Sequence, residues 1–240
     1  MRRAPAGPDL GVYARAVALL VRNPSIIIIP LVMAVAGLAL GMVFGALGAG
    51  GGTTGGLVGF IARVLEFFGL GAACIIADDA WRHGRASFER GWSEAQRRGG
   101  DLLFAALGVA FVVSLASFVG VVLGAIVALV VEALALVFLI WTMPAAAVGG
   151  VPGGAAMNVS VERVRENPIP AVVAGIVTAL LLLFVVPYVD DALLLAVAPY
   201  TGGSVIVAEL LGALVHAIFV GYIALFITKT YADAAFGRRY

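Results

Sequence analysis

Five ionisable side chains stand inside segments that otherwise read as soluble in lipid. They are Arg63 and Glu66 in GFIARVLEFFGL, and further on Glu132, Glu209 and His216. A charge at bilayer depth is costly, so such groups usually face the interior of a bundle and pair. Arg63 and Glu66 are three residues apart and Glu209 and His216 seven apart; on helices each pair shares a face. An arginine fork offers five donors in one plane, enough for two carboxylates. Arg63 is therefore expected to be neutralised by one or more of Glu66, Glu132 and Glu209, with His216 nearer the midplane. The chemistry open to this layer is a clamp that fixes helix register, or the handling of a proton or a polar solute.

The elements that carry these residues follow from composition. Of 240 residues, 62% are hydrophobic and 12% charged, and the mean hydropathy is +1.10. A soluble domain is nearer half apolar and a quarter charged. Since about 20 apolar residues span a bilayer, an all-α polytopic membrane bundle is the expected class. Six spans are expected at about 26–48, 57–77, 102–122, 125–148, 169–189 and 204–228. The third and fourth share one apolar run, too long for a single helix, which is split near Gly120–Gly124. The runs GAGGGTTGG (48–56) and 188–204 are read as outer connections, with Asp190 and Asp191 at the aqueous start of the second. Leu193–Val197 is expected to dip into the interface. Gly37, Gly41 and Gly45 form a GxxxG ridge on span one, a pattern that allows close helix approach.

Each pair of spans follows a short amphipathic helix, at about 9–22, 87–98 and 154–166. Leu10, Tyr13, Val17, Leu20 and Val21 share one face of the first, Phe88, Trp92 and Ala95 of the second, and Met157, Val161 and Val164 of the third. Arg15, Arg22, Trp92, Arg97, Arg98, Arg163 and Arg165 would form an interfacial or partner face on these helices, the kind that lies in the membrane plane. Arginine and lysine precede span one, join spans two to three and four to five, and follow span six. The other connections have none. By the positive-inside rule both termini are cytoplasmic and the chain is an inner-membrane, multi-pass protein.

Two stretches resemble a known group. AACIIADDAWRHGRASFERGWSEAQRRGGDLLFAAL leads a small-residue span into a basic amphipathic helix. VFLIWTMPAAAVGGVPGGAAMNVSVERVRENP combines a Trp-x-x-Pro span end, a glycine turn and an Ala-x-x-x-Ser helix (Ala156, Ser160). This layout resembles a broad group of bacterial and archaeal six-span membrane proteins of unknown function. That group looks related to the membrane domain fused to some glycerophosphodiester phosphodiesterases. The resemblance implies three hairpins of spans and carries no catalytic residues.

Several function classes are excluded by residue type. Basic residues form no aromatic-interleaved patch, so nucleic acid is not an expected partner. One cysteine, Cys74, and no CxxC or His-rich spacing point to neither a disulfide nor a metal; no cofactor is expected. The glycine run lacks the Lys-Ser/Thr end of a phosphate loop. A rhomboid-type protease would need Gly-x-Ser on span four, which has no serine. The chain therefore reads as a non-enzymatic scaffold, its partners membrane lipids and a protein at the cytoplasmic face. The alternative is a small-molecule transporter or transporter subunit that uses the buried polar layer. A cavity reaching Arg63 and Glu132 would favour the alternative.

Overall fold

Asparagine followed by proline occurs at 23–24 and again at 167–168, and both times it ends one helix and begins the next. The computed structural model describes residues 9–47, 52–201 and 205–237. In it α1 (Gly11–Arg22) stops at Asn23 (φ −131°, ψ 65°) and α8 (Gly153–Glu166) stops at Asn167 (φ −131°, ψ 63°). Proline keeps the residue before it out of the helical region and is itself well placed in the first turn of the next helix. Asn23 also joins the two ends of the first hairpin. Its Nδ2 donates to Leu19 O (2.9 Å), and its Oδ1 accepts from Ala86 N (2.8 Å).

The architecture is an all-α bundle with no strand among the described residues. Six helical segments are long and apolar enough to cross a membrane: Pro24–Ala46, Gly55–His83, Gly99–Val119, Ala125–Ala147, Pro168–Val197 and Ile206–Phe236. The chain is a multi-pass membrane protein. The first hairpin is α2 (Ile28–Ala46) and α3 (Gly52–His83). The second, after the short α4 (Phe88–Arg97), is α5 (Gly99–Leu123) with α6 (Ala125–Leu139) and α7 (Thr142–Ala147). The third, after α8, is α9 (Pro168–Leu180), a π turn (Leu181–Val185) and α10 (Val186–Val197), returning through α11 (Ile206–Phe236).

α3 and α11 form the centre and pack on each other. α2 and α5 flank α3. α1, α2, α9 and α10 lie against α11, and α6 sits between α5 and α9. The contact is built from small side chains, with Ala72, Ala73, Cys74 and Ala77 of α3 and Ala217 and Ala224 of α11 fully buried. Lipid supplies no hydrophobic drive between helices, so close backbone approach must supply it. α6 and α9 come closest at Gly175, where a Cβ would lie 2.7 Å from Val137 Cα.

The fourth span breaks at Ile140–Trp141. Ser160 of α8 supplies the missing bonds: its Oγ accepts from Trp141 N (3.1 Å) and donates to Phe138 O (2.9 Å). Both groups would otherwise bond along the helix. The Trp-x-x-Pro and Ala-x-x-x-Ser stretches thus meet in space.

Several sequence expectations need correction. Span two begins at Gly52, so residues 52–56 extend a helix and are not linker; 48–51 lie outside the described residues, as do Gly202, Gly203 and the terminal arginines Arg2, Arg3, Arg238 and Arg239. The turn between spans three and four is Gly124 alone, at φ +100°, where an L side chain is strained. Span five does not end at 189, and Leu193–Val197 does not leave the helix. Pro187 cannot donate to Leu183 O, and the wider π turn just before it lets the helix continue. Span six runs to Phe236 rather than 228. The ridge on span one is a packing contact only at Gly37, near Ala62. Gly41 and Gly45 face open space.

Candidate functional site

Arg63 lies eleven residues beyond Gly52 on α3, about 16 Å along its axis, and Glu132 seven beyond Ala125 on α6, about 10 Å. The two helices start at different levels, and the two side chains meet: Arg63 Nη1 is 3.1 Å from Glu132 Oε1. Ser117 of α5, which stands between those helices, completes the contact. It accepts from Arg63 Nη1 (3.2 Å) and its hydroxyl donates to Glu132 Oε1. Glu132 is nearly enclosed, with 12% of its side chain exposed, whereas Arg63 keeps 36%.

Glu66 takes a different partner. Its Oε1 lies 3.3 Å from Nε2 of His216 on α11, so α3 is tied to α6 through Arg63 and to α11 through Glu66. The one layer expected from sequence is two linked pairs with His216 as a full member. Glu209 does not join either pair. It sits in the first turn of α11 and is exposed, only about 5 Å from the helix start.

Glu209 nonetheless shares a space with them. A cavity of about 480 Å³ opens between α2, α3, α10 and α11. Its polar wall is Arg63, Glu66, Asp190, Asp191, Glu209 and His216. Pro30, Met33, Ala34, Gly37 and Leu38 of α2, with Leu194 of α10 and Ala213 of α11, supply an apolar wall opposite. Glu132 lies behind Arg63 and is not part of the lining. Asp190 and Asp191 come as additions to the sequence reading, which had them at a loop start. The signal was in the sequence: Val186, Asp190, Leu194 and Val197 keep helical spacing across Pro187. Among the described residues, Asp190, Asp191 and Glu209 have no ion-pair partner, and no His, Cys, Asp or Glu trio is placed to hold a metal ion.

The interfacial residues divide. Arg15 bonds Asp9 (2.5 Å), Arg98 bonds Glu94 (2.6 Å), Arg97 bonds the same carboxylate, and Arg163 bonds Glu166 (2.8 Å). Those charges are spent within their own segments. Arg22 and Arg165 are exposed. Trp92 is exposed as well, and it stacks on Phe88 with ring centroids 6.4 Å apart. Each short helix also packs a face of small residues on the bundle. α1 buries Val12 and Ala16 and turns Leu10, Val17 and Val21 outward; α4 buries Gly91 and Ala95, and α8 buries Ala156, Ser160 and Val164. Arg98 and Arg97 hold the Glu94 carboxyl below its ordinary range, the Arg98 hydrogen bond being the larger cause.

No family model, curated protein or solved structure matches the chain. Nothing in these comparisons bears on the resemblance to the membrane domain fused to some glycerophosphodiester phosphodiesterases.

Proposed function

We propose that the protein is a non-enzymatic small-solute transporter, or the solute-binding subunit of one, of the cytoplasmic membrane, with both termini inside. One observation carries this reading: the cavity of about 480 Å³ between α2, α3, α10 and α11, lined by the part-buried Arg63, Glu66 and His216 and by the exposed Asp190, Asp191 and Glu209. Cavities of roughly 300–1,000 Å³ suit small molecules. Ionisable groups within a membrane span mark solute or ion paths by default. The arginines that join span two to three and span four to five support the orientation.

The scaffold reading draws support from exposed Trp92, Arg22 and Arg165. It asks for a closed bundle and leaves the cavity without a role.

Cysteine accessibility separates the two. Cys74 is the only cysteine and is buried, so Cys74→Ala gives a clean background for Ala213→Cys on the cavity wall. In proteoliposomes a membrane-impermeant thiol reagent should label position 213, and labelling from each face in turn would mark a carrier. Labelling by a lipid-soluble reagent alone would overturn the reading.

A further inference from the structure

The cavity is asymmetric in charge and in chemistry, and the asymmetry defines what fits it. Among the described residues, four carboxylates line it, from Glu66, Asp190, Asp191 and Glu209, against one permanent cation, Arg63. That cation is already matched by Glu132 from behind. His216 is the other positive candidate and is held by Glu66. The wall potential is therefore negative whether or not His216 carries a proton, and low-dielectric walls focus such a potential. The opposite wall, on α2, is aliphatic and includes Met33, Ala34 and Leu38. Among the described residues, no Phe, Tyr or Trp ring lines the space.

Taking the solute-binding reading as its basis, we propose that the cavity binds an ammonium head that retains N–H bonds on a compact aliphatic body. Carboxylates only accept hydrogen bonds, so a head with donors satisfies them. A quaternary ammonium is recognised chiefly by the faces of Trp, Tyr and Phe, none of which is in this wall among the described residues. A coordinated metal ion is a poorer fit, because no ligand trio converges among the described residues. An anion would meet a single arginine that is already paired.

A proton competes with this occupant. Among the described residues, the charged groups that share the cavity with His216 are Arg63 and Glu66 from α3, Asp190 and Asp191 from α10, and Glu209 from its own helix, of which Glu66 is in contact with it; α2 contributes none to the wall. Protonation of His216, or of any of these carboxylates, lowers the negative charge that the ammonium needs. Affinity therefore rises with pH.

Four probes with one body test the head: hexylammonium, hexyltrimethylammonium, hexanoate and hexan-1-ol. They are titrated calorimetrically into the full chain in phosphatidylcholine nanodiscs, with empty nanodiscs subtracting partition. Hexylammonium should bind, the trimethyl analogue about tenfold or more weaker, and hexanoate and hexanol not measurably. Hexylammonium affinity should rise between about pH 5.5 and pH 8. Asp190→Asn and Glu66→Gln should each weaken it about tenfold, and Asp190, exposed on α10, keeps the test independent of folding. Equal binding of the two cations, tighter binding of hexanoate, or no binding at all would overturn the proposal. Each of those results leaves the solute cavity standing if the Ala213→Cys thiol is labelled from water, whereas an unlabelled thiol at that position removes the cavity's function itself.

Discussion

Arg63 spends its charge inside the bundle. Its guanidinium reaches Glu132 on α6 past α5, and Ser117 of α5 touches both groups. Removing one member of this partly enclosed pair leaves the other without its partner, and the penalty for a stranded buried charge usually exceeds the net worth of the pair. A double-mutant cycle on Arg63→Ala and Glu132→Ala should give a coupling of about 1–3 kcal/mol in a detergent denaturation series. Unchanged folded yield and melting temperature for Arg63→Ala alone would show that the pair contributes nothing. Glu132→Ala should be the more damaging single change, because it leaves a cation that cannot lose its proton.

Helices in this chain are held by exchanged backbone bonds and by close approach. Ser160 is the clearest instance, since one hydroxyl serves both sides of the break at Ile140–Trp141. Ser160→Ala strands a buried N–H and should cost about 1–3 kcal/mol, read by chemical denaturation. Gly175→Val should separate α6 from α9, with a loss of similar size (about 1–3 kcal/mol) from overpacking. Gly41→Ala and Gly45→Ala on α2 should be neutral in the same assay, because their Cβ positions meet nothing. On α4, the lowered Glu94 carboxyl gives a signed pH dependence. A folded pKa below the unfolded one stabilises above the unfolded value, near 4.5, and that gain is lost as pH falls through the folded pKa. The melting-temperature difference between the native chain and Glu94→Gln should therefore be present at pH 7 and shrink as the pH drops below about 4.

The whole molecule trades packing for the cavity. Its two most buried spans, α3 and α11, pack on each other, and between these two helices, α2 and α10 a space of about 480 Å³ stays open beside Glu66 and His216. Filling a void with apolar volume generally stabilises, and the cost falls on function. Ala34→Phe on the α2 wall should keep or raise the melting temperature and abolish hexylammonium binding in the nanodisc titration. A variant that binds as well as the native chain would place the ligand elsewhere.

Hydropathy by itself determined the class of the protein and its six spans, because twenty-residue apolar runs have one stable form in lipid, and helical spacing of apolar residues marked the short helix before each hairpin. Asn23-Pro24 and Asn167-Pro168 were legible for a local reason, the steric demand of proline on its neighbour. Arg63, Glu66, Glu132 and His216 could be picked out as deep charges, and Glu132 was among the three carboxylates expected for Arg63, but which of the three it meets, and that His216 takes Glu66, could not be read. Helical spacing says which residues share a face and nothing about which helix stands opposite. Only the tertiary arrangement, with α5 between α3 and α6 and α11 against α3, gave Glu132 to Arg63 and His216 to Glu66. Asp190 and Asp191 depended on the same level. A proline ordinarily ends a helix, and it took the π turn packed at Leu181–Val185 to carry the chain on and bring both carboxylates into the cavity.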